Sequence, residues 1–112
     1  MDRKDLVRRY KDTPRPAGIY RVVHRPSGRT VLGASPDAPA MLNRIRAQLS
    51  LNSHPNKQMQ NDWDADGEDA FAFDVVDLLD LLDDPGADIG AELQTLLELW
   101  REKLHIDPET AY

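Results

Sequence analysis

Between residues 19 and 32 a run of β-formers, Ile-Tyr-Arg-Val-Val-His-Arg, gives way to Pro26-Ser27-Gly28-Arg29 and then to Thr30, Val31 and Leu32. Two β-branched, apolar runs separated by that turn chemistry predict a β-hairpin. A hairpin commits the chain to two neighbouring antiparallel strands, and every other element has to be arranged around them. A third strand is expected over residues 70 to 79, AFAFDVVDLL. Alternation puts Phe71, Phe73, Val75 and Leu79 on one face and Ala72, Val76 and Leu78 on the other. With both faces apolar, the pattern predicts a central strand covered by helices on two sides.

Helical periodicity accounts for most of the rest. Residues 2 to 11 carry Leu6, Val7 and Tyr10 on a short amphipathic helix, stopped by Pro14 and Pro16. After Ser35-Pro36-Asp37-Ala38-Pro39, a helix over about residues 38 to 50 aligns Met41, Leu42, Ile45 and Leu49 in one stripe. A second helix starts at Ser53 or His54, with Pro55 in its first turn and Met59 and Trp63 one turn apart, and ends near Gly67. Beyond the loop DDPGADIG, residues 90 to 104 repeat Leu93, Leu96, Leu97, Trp100 and Leu104 at helical spacing. The order predicts one α+β domain over residues 1 to 112, a three-stranded sheet with flanking helices, in which residues 1 to 16 form an N-terminal helix and linker and residues 17 to 104 the core.

Composition narrows the function. The 112 residues include no cysteine, so disulfide scaffolds and thiolate zinc sites are excluded. There is no Gly-rich phosphate loop and no hydrolase serine elbow. No apolar run approaches the roughly 20 residues of a membrane span, and the charged start MDRKDLVRRY lacks a signal-peptide core, so a cytoplasmic location is expected. The net charge of −6 conceals two opposite halves. Residues 1 to 57 hold 12 Lys/Arg and 4 Asp/Glu, whereas residues 58 to 112 hold 2 and 16. A basic half leaves a phosphate-binding surface available, and mutual neutralisation in the fold is the alternative.

Gly18-Ile19-Tyr20 on the first strand and Val31-Leu32-Gly33 after the turn resemble the two signatures of the GIY-YIG nuclease superfamily. In LNSHPNKQMQNDWDADGEDAFAFDVVD the small-polar-His-Pro-Asn opening, the Gln-x-x-Trp helix, the Gly turn and the Phe-x-Phe strand follow in the order the family shows. The resemblance covers roughly residues 17 to 104 and is greatest to short stand-alone members. It implies a three-stranded antiparallel sheet flanked by helices and metal-dependent cleavage of DNA phosphodiesters, with Mg²⁺ or Mn²⁺ as cofactor. DNA is then the implied partner, a protein partner the alternative.

Carried over by position, the resemblance makes Tyr20 the residue that orients or deprotonates water, and places Val31 at the second tyrosine. The phosphate-steadying arginine falls at Met41, with Arg44 one turn later as its substitute. The metal-binding glutamate falls at Leu97, with Glu98 next; either Glu98 is the ligand or the metal site is degraded. His24, on the strand face of Tyr20, is a candidate proton shuttle, with a surface histidine as the alternative. Arg21, Arg25, Arg29 and Arg46 are candidate phosphate contacts. These departures predict reduced nuclease competence, and a non-catalytic module binding nucleic acid or protein is the second reading. Asp62-x-Asp64-x-Asp66-Gly67 opens like a calcium loop, but Phe73 stands where its closing Glu belongs. The acidic run Asp74, Asp77, Asp80, Asp83 and Asp84 reads as a solvated face.

Overall fold

The computed structural model of the chain describes residues 16–79, 88–106 and 108–112. The expected helix over residues 2 to 11 lies outside the described residues, as do Asp80, Asp83 and Asp84. The hairpin forms as read, with β1 at Gly18–His24 and β2 at Thr30–Ser35. Its turn closes through the His24 N–H to the Arg29 carbonyl at 2.9 Å and the Gly28 N–H to the His24 carbonyl at 2.7 Å. Gly28 sits at φ +77°, a conformation that L side chains avoid.

Helix α1 spans Ala38–Ser50, capped by the Asp37 carboxylate on the Ala40 N–H. Helix α2 spans Lys57–Asp66 and starts later than expected, because the Asn56 side chain accepts the Met59 N–H at 3.0 Å and becomes the cap. A short 3₁₀ turn, Glu68–Ala70, leads into β3 at Phe71–Leu78, and α3 spans Ile89–Lys103.

The sheet is antiparallel throughout, in the order β2-β1-β3. This corrects the expected place of β3: β1 is the central strand and β3 an edge. Edge and centre are decided by hydrogen-bonded neighbours, and apolar faces report only what covers the strand. The register also shifts between Ile19 and Tyr20, which oppose Asp77 and Val75 and leave Val76 as the extra residue. Past that bulge the alternation inverts, so Leu78, opposite Gly18, shares the face of Phe73 and Val75 rather than that of Ala72.

One sheet face carries the main core. Val22, Leu42, Ile45, Leu49, Met59 and Phe71 form a buried cluster, backed by Tyr20, Val31, Met41, Trp63 and Phe73. On the opposite face Ile19 is fully buried, and α3 packs against β1 and β2. Leu93 is the buried residue of α3, and Trp100 donates its indole N–H to Asp77, opposite Ile19, at 2.9 Å. Residues 110 to 112 lie along the outer edge of β2, with the Thr30 N–H bonded to the Thr110 carbonyl and the Tyr112 N–H to the Thr30 carbonyl. The Tyr112 ring packs on the core, and its hydroxyl donates to Asp62 at 2.6 Å.

Candidate functional site

Tyr20 stands on the α1 side of β1, opposite Gly33 on β2 and Val75 on β3. Its half-buried ring lies over Gly33 so closely that a Cβ there would collide with the phenol. The hydroxyl makes no hydrogen bond among the described residues, and burial raises its pKa above that of a free tyrosine. Around it the surface is apolar. Val31 and Met41 pack on the same cluster as Tyr20, while Val75 and Leu78, which share its sheet face, are 39% and 54% exposed. The two exposed residues at this site were not singled out from sequence, because the bulge that brings Leu78 to this face leaves no mark in the alternation.

Most of the candidate cations have partners of their own. Arg44 is exposed on α1 and pairs with no acid among the described residues. Arg21 points to the α3 side of the sheet and pairs with Asp74 across from it at 3.1 Å. Arg46 lies over the Phe73 ring, 4.5 Å from its centroid, and contacts Glu68 at 3.3 Å. Arg29 approaches Asp62 at 3.9 Å, and Arg25 donates to the Asp69 carbonyl at 3.4 Å. The basic first half and acidic second half thus meet pairwise.

His24 is buried rather than at the surface, at 4% exposure, with Nδ1 2.7 Å from Ser27 Oγ and Nε2 2.7 Å from Asp66 Oδ2. The Asp62–Asp66 segment that opened like a calcium loop is helical and spent on these contacts. Glu98 is exposed on α3 and accepts from the Gln94 side chain at 3.2 Å. It borders a shallow concavity with Arg101, Glu102, His105 and Ile106, while Leu97 is half-buried.

No protein-family model matches the sequence, and no curated protein is significantly similar to it. Solved structures are. The catalytic domain of homing endonuclease I-TevI superposes with a TM-score of 0.65 over 86% of this chain and 95% of its own, at 16% identity. A point-mutant form of the catalytic domain of intron endonuclease I-TevI gives 0.64 over 87% and 91%, at 15% identity. The chain has the GIY-YIG nuclease fold.

Likeness at this identity carries the fold, so the metal implied by the GIY-YIG resemblance has to be tested on this chain's donors. Mg²⁺ and Mn²⁺ require several hard oxygen ligands in a near-octahedral arrangement. Glu98 offers one carboxylate, already hydrogen-bonded to Gln94, and among the described residues no three His, Asp or Glu side chains converge on a common point. Tyr20 lies on the α1 face of the sheet, whereas α3 is tied to the other face through Trp100 and Asp77. As placed, Glu98 would give such a metal one protein carboxylate, with water left to complete its shell.

Proposed function

We propose that this chain is a binding module on the GIY-YIG fold whose Tyr20 surface does not hydrolyse phosphodiesters, and that the surface engages a protein. The supporting observation is the setting of Tyr20: a hydroxyl with no hydrogen-bond partner among the described residues, on a ring that lies over Gly33, packs on the same core cluster as Val31 and Met41, and shares its sheet face with exposed Val75 and Leu78. A water-activating group has to sit within hydrogen-bond reach of the proton it removes and near its working pKa, and burial moves Tyr20 away from that condition. Exposed apolar side chains beside a half-buried aromatic ring are the composition of a protein contact.

Unpaired Arg44 favours DNA as the runner-up partner. Titrating a labelled duplex by fluorescence anisotropy, at about 50 mM and about 200 mM salt, separates the two. The protein-binding reading predicts weak association that Arg44→Glu and Arg46→Glu scarcely alter. A tight complex that loosens steeply with salt and with both substitutions would move the assignment to nucleic acid.

A further inference from the structure

The hairpin turn carries a polar chain that the binding reading does not use. His24 ends β1 with its ring tilted against Phe71, 4.9 Å between centroids, and both ring nitrogens are 2.7 Å from an oxygen. Ser27 Oγ already accepts the Arg29 backbone N–H at 3.1 Å. Its own proton is therefore free to point at Nδ1, which leaves Nε2 as the protonated nitrogen facing Asp66. The base is buried while Ser27 is exposed, so a reagent meets the hydroxyl first, with Nδ1 directly behind it.

We propose that Ser27 is a nucleophile activated by His24 and oriented through Asp66, accepting acyl groups from activated carboxylic esters. Oγ attacks the carbonyl carbon as its proton passes to Nδ1. The bond to the ester's leaving oxygen breaks, that oxygen takes the proton from Nδ1, and the acyl group remains on Ser27. Water then repeats the sequence and releases the acid. Asp66 accepts the Nε2 N–H at 2.7 Å, fixing the tautomer. The N–H groups of Gly28 and Arg29 are spent on the His24 carbonyl and on Ser27 Oγ. The donors left at the turn among the described residues are the Ser27 N–H and the side chains of Arg29, 3.9 Å from Asp62, and of exposed Arg25, held to the Asp69 carbonyl only at 3.4 Å. Weak stabilisation of the oxyanion restricts the substrate to esters with good leaving groups.

The site is separate from Tyr20, which lies four residues back along β1, roughly 13 Å at ordinary strand rise. The charged and titratable groups around the ring are Asp66 and Asp62 from α2, the latter 3.8 Å from Nδ1, with Arg29 and Tyr112 on Asp62.

The test is to treat the full chain with a fluorophosphonate, which forms an Oγ–P bond and expels fluoride, and to map the adduct by peptide mass spectrometry. Exposed Ser50 and Ser53, neither bonded to an imidazole, are internal controls. The expected result is labelling of Ser27 at least about tenfold faster than of Ser50 or Ser53, slowed about tenfold or more by Asp66→Asn. Labelling of Ser27 in the wild-type chain no faster than the control serines would overturn the proposal, whatever the variants do to folding, and would leave the binding reading intact.

Discussion

The Tyr20 ring fills the space a side chain at Gly33 would need, and that sets what each position tolerates. Gly33→Ala must push the phenol off the sheet, and urea denaturation should show a loss of about 1–3 kcal/mol. In a Tyr20→Ala background the same change should cost less, since the ring it strikes is gone. Two tyrosines are held in their neutral form: Tyr20 by burial, and Tyr112 by burial together with its hydrogen bond to Asp62. With folded pKa values above the unfolded value of about 10, their contribution is complete below that pH and is lost above it, where the unfolded chain sheds its phenolic protons first. Thermal melts should therefore fall in midpoint above about pH 10, and Tyr112→Phe should flatten part of the decline. The position of Tyr20 was legible in the sequence, as was its sharing of a strand face with Val22 and His24. The Asp66 partner of His24 and the Asp62 partner of Tyr112 were not, because 42 and 50 residues separate them and only the closed fold brings them together.

Helix α2 begins where its cap places it. Asn56→Ala removes the acceptor for the Met59 N–H and should lower stability by about 1 kcal/mol in chemical denaturation, with the helix end fraying. A rise in stability on that substitution would mean that the start is set by Pro55 instead. The hairpin, α1 and α3 were readable nearly to the residue, because each has a strong period and a clean boundary: Gly28 at the turn, Asp37 before α1, Asp88 before α3. Strand β3 was readable in extent and misleading in place. Phe71 is buried in the core under α1 and α2, and Phe73 packs beside it with Trp63 and Arg46 against its ring. Asp77 is held by Trp100 on the reverse face. Both faces of this edge strand are thus occupied, and its apolar pattern imitates that of a strand at the centre. The single-residue bulge at Val76 then moved Leu78 across the sheet, which no alternation rule could anticipate.

Among the described residues, three pairs join the basic and acidic halves, Arg21–Asp74, Arg29–Asp62 and Arg46–Glu68. Such partly exposed pairs contribute at most about 1 kcal/mol each, so they matter less for stability than for what remains to face a phosphate backbone. Arg44, on α1, is among the arginines, with Arg25 and Arg101, that pair with no acid among the described residues, and Arg44→Glu should weaken whatever DNA association exists more than Arg21→Glu does, in the same anisotropy assay. The fold is that of the I-TevI catalytic domain, the sheet face of its first-strand tyrosine carries exposed Val75 and Leu78, and among the described residues no three His, Asp or Glu side chains converge. A plasmid-nicking time course with Mg²⁺ and with Mn²⁺, running wild type beside Tyr20→Phe and Glu98→Ala from identical preparations, tests that conjunction most directly. The binding-module reading predicts no metal-dependent nicking above background in any of the three. Nicking by the wild type that both substitutions abolish would contradict it and make Tyr20 and Glu98 parts of a working nuclease site.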